Sequence, residues 1–392
     1  MPAPERIYLD NAATTWPKPE SVYAAVEQTM RANGAAVGRA VFGDSAHATQ
    51  IVQQARHKIA SFIGAPTDSS VVFTNSGTDS LSTAILGLLK PNDTVVTTAT
   101  EHNSVLRPLY HLQQTIGLQL KIVPSDETGL LSALNLIDAV NESTRLLVVN
   151  HVSNVTGVVQ PIKGIIAAAK VKAPKLIVLL DAAQSLGHLP IDVTELGCDL
   201  LAAPGHKGLY GPLGTGVLYL NPGITDQVAP LRLGGTGVSS GEVQQPTTMP
   251  EKFEAGNLNA PAIAGLAAGL EFLKTEQGQA AKENSLRCSE LLLQGLQTID
   301  GLTLHLPKSV DHRIGIFSIS VDGLGPHEVA NLLDLTGQVQ VRSGLHCAPL
   351  LHRQMRTFDQ GGTVRFSIGV FTTPTEIERA VEVLREASQP LV

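Results

Sequence analysis

With 392 residues the chain has room for two or three domains, and its 43% hydrophobic content is ample for a large core. Aromatics make up only 4%, so that core must be built from Ala, Val, Leu and Ile. A net charge of −7 with no Lys/Arg run argues against nucleic-acid and membrane-surface partners, and no apolar stretch approaches the ~20 residues needed to span a bilayer.

The opening Met-Pro-Ala-Pro-Glu-Arg lacks the charged-then-apolar pattern of a signal peptide. Cys198, Cys288 and Cys347 are odd in number and far apart, with no C-x-x-C, so neither a disulfide framework nor a metal site is signalled. A reducing cytoplasm is the expected setting.

In chain order, short apolar runs alternate with stretches of helical period, the signature of a mostly parallel sheet covered by helices. The predicted strands are Ser70–Thr74, Thr94–Thr98, Arg145–Asn150, Leu176–Leu180, Asp199–Ala202 and Gly216–Leu220. The predicted helices between them include Asp79–Leu89, Ser104–Gln114, Leu131–Val140 and Lys163–Ala169. The rhythm breaks in a loop near Met249–Ala260, and Pro261–Lys274 reads as a long helix. Beyond it come a helix, a strand near Ile314–Val321, a helix near Pro326–Leu333 and a final helix from Pro374. The expected division is a large domain of 16–260, with 1–15 and 261–392 forming a smaller α/β domain.

Polar residues cluster at the C-terminal ends of the apolar runs, where open parallel sheets bind ligands. Leu176-Ile-Val-Leu-Leu-Asp181-Ala-Ala-Gln184 ends a buried strand in an acid. Asp181 can pair with a protonated pyridine nitrogen, as in pyridoxal 5′-phosphate (PLP), and Gln184 can reach the ring's phenolic oxygen. A helix cap is the plain alternative for Asp181. In Ala203-Pro-Gly-His206-Lys207-Gly, Lys207 is placed to be desolvated, which lowers an amine's pKa as Schiff-base chemistry needs. Thr74-Asn-Ser76-Gly77-Thr78-Asp79 follows a strand and opens a helix, so its amides and hydroxyls, with His206, suit a phosphate. Gly234-Gly-Thr-Gly237 is a weaker signal, more often a loop.

Glu101-His102-Asn103 puts an imidazole where it can stack on a pyridine ring. Asn154 can hydrogen-bond a substrate carboxylate or the ring oxygen, or serve as a turn residue. Arg365, inside the apolar Thr363-Val-Arg-Phe-Ser-Ile, needs a partner, either a substrate carboxylate or a structural acid. Cys347 sits beside Gly and Pro with Arg342 and His346 close in sequence, a setting that favours a reactive thiol over a buried one.

Together these segments resemble the class V, fold-type I PLP enzymes, and within them the cysteine desulfurases and selenocysteine lyase-like proteins. The resemblance is carried by Tyr8-Leu-Asp-Asn-Ala-Ala-Thr-Thr15, Glu101-His102, His151-Val-Ser-Asn154, Asp181-Ala-Ala-Gln184, Gly205-His-Lys207, Phe253-Glu-Ala-Gly256, Arg342-Ser-Gly-Leu-His-Cys347-Ala-Pro and Arg365. It implies a homodimer in which Lys207 holds PLP, Asp181 pairs with its ring nitrogen and His102 stacks on it. It further implies that Arg365 and Asn154 hold the carboxylate of L-cysteine, and that Cys347 takes the sulfur as a persulfide with release of alanine, the sulfur then passing to an acceptor protein. Iron–sulfur assembly is one such destination.

The sequence departs from the family pattern at Pro204, where a serine phosphate ligand is common, and at Leu345, a frequent histidine. It also departs at Asn257, which stands where a threonine reaches the partner subunit's phosphate, and at Gly208, an apparent extra residue. The open alternatives are a selenocysteine lyase, a C–S lyase or another class V aminotransferase, and, outside enzymes, a catalytically silent PLP-fold scaffold. A Rossmann dehydrogenase is disfavoured because no strand is followed by G-x-G-x-x-G.

Overall fold

The computed structural model describes residues 6–38, 40, 42–306 and 313–388. Seven strands form the central sheet, in the spatial order Val71–Thr74, Gly216–Leu220, Leu200–Pro204, Ile177–Asp181, Thr144–Asn150, Thr94–Thr98, Gln119–Val123. Only Gly216–Leu220 runs antiparallel to its neighbours. Both faces are covered, and this explains why the central strands read as unbroken apolar runs. Side chains alternate between two cores: Leu147, Val149, Val178, Leu180 and Leu201 face one, while Leu146, Val148, Ile177, Leu179 and Leu200 face the other.

The six expected strands and the helices between them are present, with ends shifted by a few residues at most. The sequence pattern does not predict Gln119–Val123. That strand lies at the sheet edge and carries Gln119 and Lys121 on an exposed face, so it lacks the apolar run that marks its neighbours.

A second sheet of four antiparallel strands, Arg342–Gly344, Thr363–Ser367, Ile316–Val321 and Leu302–His305, builds the smaller domain. Helices Glu276–Leu296, Pro326–Gly337 and Pro374–Ala387 pack together over it. Ile7–Tyr8 pairs with Val339–Gln340, which attaches the N-terminal segment to this domain. One boundary differs from expectation. The helix Ala260–Phe272 packs on Glu20–Ala32 and Gly43–Phe62, and its Leu266 and Leu270 lie in the core of the large sheet. The break between domains therefore follows this helix instead of preceding it at 260. The irregular stretch before the helix is a surface excursion of the large domain.

That excursion is pinned from beneath. Glu254 makes a two-bond pair with Arg56, 2.8 Å on each arm, and its Oε1 also accepts the Phe73 amide at 2.7 Å. Both side chains are buried. Removing one charge strands the other in the interior, so Glu254→Ala should lower stability by about 3–5 kcal/mol in urea denaturation; a loss below 1 kcal/mol would contradict this account.

Candidate active site

The C-terminal ends of five strands that run in one direction open on one cavity of about 210 Å³ between the two domains. From the large domain it is lined by Ser76, Gly77 and Thr78, by His102, by Asn154, by Asp181 and Gln184, and by His206 and Lys207. The small domain adds Arg342 and Arg365. Eleven of the thirteen residues singled out from sequence thus share a single wall, the exceptions being Cys347 and Asn257.

At one end, Ser76 caps the helix Gly77–Leu88, its hydroxyl accepting the Asp79 amide at 3.1 Å. A Cβ on Gly77 would come within 2.9 Å of Pro204 Cδ, so only glycine lets the helix start approach the adjoining strand end so closely. Thr78 Oγ1 lies 2.7 Å from Ser104 Oγ. His206 faces the same end. Burial lowers its pKa to about 4, and its Nδ1 has no partner among the described residues.

On the floor, Asp181 ends the fully buried strand Ile177–Asp181. Burial raises its pKa, opposed by the Ala183 amide at 2.9 Å and by the charge of Lys207. Asp181 therefore caps no helix, since only a turn follows it, and among the described residues it is a buried acid without a direct ion-pair partner. Lys207 is the complement: burial lowers its pKa to about 8, with Asp181 pulling the other way and Arg365 and Arg342 adding to the fall. An amine in that range is neutral in a useful fraction of molecules near physiological pH.

His102 is the N-cap of the helix Asn103–Ile116. Its Nδ1 accepts the Ser104 amide at 3.0 Å, which fixes the neutral ring as the Nε2–H tautomer. Burial, then Lys207 and Arg342, brings its pKa to about 4, so the ring is uncharged at working pH.

Cys347 lies on the loop arching from the small domain. Arg342 Nη2 is 3.6 Å from its Sγ. Its carbonyl accepts the Asn103 amide at 2.7 Å, and the His346 carbonyl accepts Asn154 Nδ2 at 2.7 Å. These bonds tie the loop to the segments carrying His102 and Asn154. Both His346 and Cys347 have positive φ, 47° and 58°, a conformation that costs a non-glycine residue about 1–3 kcal/mol and persists only where the surroundings impose it. His346 is not the thiol's cationic neighbour expected from sequence. Its ring is buried, bonded to Thr363 at 3.1 Å and held neutral by burial, leaving that role to Arg342.

The family model for the class-V aminotransferases matches residues 7–380. The chain belongs to the class-V aminotransferase family. Within this family it groups with the cysteine desulfurases: a probable cysteine desulfurase of Methanothermobacter thermautotrophicus is 36% identical over 97% of this chain and 94% of that protein. Another from Pyrococcus abyssi is 35% identical over 99% and 95%. Among solved structures, a cysteine desulfurase from Thermococcus onnurineus superposes with a TM-score of 0.90 at 34% identity, covering 98% of this chain and 95% of that one. CsdA from Escherichia coli gives 0.86 at 28%, covering 99% and 96%.

Class-V enzymes of this fold type work with PLP, and the residues here fit that group. The unsatisfied Nδ1 of His206, the helix start at Gly77, the buried acid Asp181 and the low-pKa amine Lys207 offer one donor set for phosphate, one acid for a ring nitrogen and one amine for an aldehyde. For three of the expected residues the structure adds contacts or positions that the sequence does not show. Arg365 is already paired, its Nη2 lying 2.6 Å from Asp10 Oδ1 and its Nη1 donating to the Asn154 carbonyl, so a substrate carboxylate has to use its remaining donors. Gln184 gives one amide hydrogen to the Ala12 carbonyl at 2.9 Å, which braces the N-terminal turn. Asn257 is exposed and lies outside the cavity of this chain. Sequence reasoning also gave no role to Asp10 or Ser104. Asp10 lies in a quoted motif, yet only the tertiary pairing shows its partner.

Removing the Asn154 amide should release the strained loop. Asn154→Ala is expected to speed alkylation of Cys347 by iodoacetamide about tenfold, equivalent to ~1.4 kcal/mol for one buried hydrogen bond; an unchanged rate would show that the loop is held by other contacts.

Proposed function

We propose that this protein is a PLP-dependent cysteine desulfurase that converts L-cysteine to L-alanine and forms a persulfide on Cys347. The observation that carries this reading is a tethered thiol, Cys347, held beside Arg342, which itself lines the crevice that holds Lys207 and Asp181. An aminotransferase or a simple lyase needs the crevice but has no use for the thiol.

In this reading Lys207 holds PLP through its neutral amine, Asp181 pairs with the ring nitrogen, and His102 lies against the ring. The phosphate is held by Gly77, Thr78, Ser76 and His206. When bound, PLP draws electrons from the α-carbon of the substrate. The chain's own groups do the rest. Arg365 and Asn154 orient the substrate carboxylate. Lys207 moves the proton at the α-carbon. Arg342 keeps Sγ of Cys347 directed at the substrate, where it attacks the sulfur. The new S–S bond forms as the Cβ–S bond breaks, the electron pair goes to the carbon side, and a proton there completes alanine. The outer sulfur then passes to an acceptor thiol.

The assembly we infer is a homodimer. Leu213, Leu231, Leu233 and Val243 are exposed apolar side chains on the large domain that a second copy would cover. Asn257 would reach the partner's phosphate from its exposed loop. Three unpaired cysteines suit a reducing cytoplasm. Selenocysteine is the second substrate to consider, since every group named here would act on selenium equally.

With PLP, L-cysteine and a reductant present, sulfide and alanine should form in equal amounts without pyruvate. Cys347→Ala should lower sulfide release by about 10²-fold or more while keeping bound PLP. Pyruvate matching sulfide would contradict the mechanism and point to β-elimination.

A further inference from the structure

Glu101 precedes His102 and takes no part in the mechanism above. Its side chain is wholly buried where the strands Thr94–Thr98 and Thr144–Asn150 end. Oε1 accepts the Thr98 hydroxyl at 2.7 Å and the Asn150 amide at 3.0 Å. Oε2 has no partner among the described residues, and no lysine or arginine pairs with the carboxyl there. Asn150 is the register neighbour of Asp181, so two buried carboxyls are set at neighbouring strand ends, Asp181 lining the cavity and Glu101 outside its lining.

The titratable groups on the surrounding segments are His102 on the helix start, His151 after the adjoining strand and Asp181 on the next one. Burial brings both imidazoles to a pKa of about 4, so neither supplies a cation. Two carboxylates cannot cheaply share such a site, and one of them keeps a proton. Asp181 has the Ala183 amide and the charge of Lys207 to support ionisation. Glu101 has an orphaned oxygen instead. Burial first, and then the charge of Asp181, raises its pKa to about 8.

We propose that Glu101 is a positioning residue for Asp181: it holds a proton at neutral pH, so that the two carboxyls carry one negative charge between them and that charge sits on Asp181, facing the cofactor site. The meaning of that charge for PLP rests on the pairing of Asp181 with the ring nitrogen proposed above; the proton on Glu101 does not.

Infrared spectroscopy of the cofactor-free protein tests the proton directly. The wild type should show the carbonyl stretch of a protonated carboxyl at neutral pH, lost on alkaline titration with a midpoint near pH 8. The band should vanish in Glu101→Gln. In Asp181→Asn it should remain and titrate at lower pH, because the neighbouring charge is gone. No such band in the wild type, or one that survives Glu101→Gln, would overturn the proposal. Should Glu101→Gln fail to fold, the wild-type and Asp181→Asn titrations decide the matter by themselves. PLP affinity supplies the second readout. At neutral pH Glu101→Gln, which mimics the protonated acid, should bind PLP within about twofold of wild type, whereas a tenfold loss would place the charge on Glu101 and refute the idea. If Asp181→Asn also binds PLP unchanged, the ring-nitrogen pairing fails while the protonated Glu101 stands.

Discussion

A carboxyl at the end of a wholly buried strand has to be compensated, and Asp181 sets the terms for everything around it. Burial alone pushes it toward the neutral form; the Ala183 amide and the charge of Lys207 push back. Lys207 in turn is buried enough to lose its proton far below the usual lysine range, and Asp181 limits the fall. Neither group would have its property in water. The parallel sheet makes the pairing possible, since strands of one direction deliver their following turns to one edge, where chemistry from distant parts of the sequence can meet. Leu200–Pro204 delivers His206 and Lys207 beside Asp181 for this reason alone.

Cys347, the proposed nucleophile, is not among the residues lining that crevice and belongs to the other domain. Its loop is nevertheless fixed to the large domain by a short series of polar contacts: Asn103 to the Cys347 carbonyl, Asn154 to the His346 carbonyl, Arg365 to the Asn154 carbonyl, and Ser318 to the Val155 carbonyl. Two consecutive left-handed residues mark where this tethering stores strain. The arrangement divides labour in a physically sensible way. Proton movement needs a dry, preorganised floor, whereas a thiol that must receive sulfur and hand it on needs a position at the opening.

Much of this was legible in the sequence, for reasons that also explain the rest. Gly216–Leu220 could be read to the residue because a two-sided sheet demands unbroken apolar runs, and Thr94–Thr98 because all five of its residues are β-branched. Whereas Arg342 and Arg365 lie within strands of the small domain, the large-domain residues of the cavity were legible because they follow strand ends. Gln119–Val123 was not, since an edge strand tolerates Gln and Lys. The helix Ala260–Phe272 was visible as a helix but not as part of the large domain, because apolarity identifies burial without naming the surface that provides it. Arg365 required a partner by its burial, yet sequence could not choose between a substrate and Asp10, which is 355 residues away. Likewise His346 looked cationic beside Cys347 until its ring was found bonded to Thr363 in the interior.

The central claim is that Cys347 itself receives the substrate sulfur. Mixing the PLP-loaded protein with L-cysteine in the absence of reductant, trapping thiols by alkylation and reading the Cys347 peptide by mass spectrometry tests it most directly. The account predicts a gain of one sulfur atom on Cys347, with alanine formed once per site and no gain on Cys198 or Cys288. Multiple turnovers to sulfide with an unmodified Cys347 peptide would contradict it.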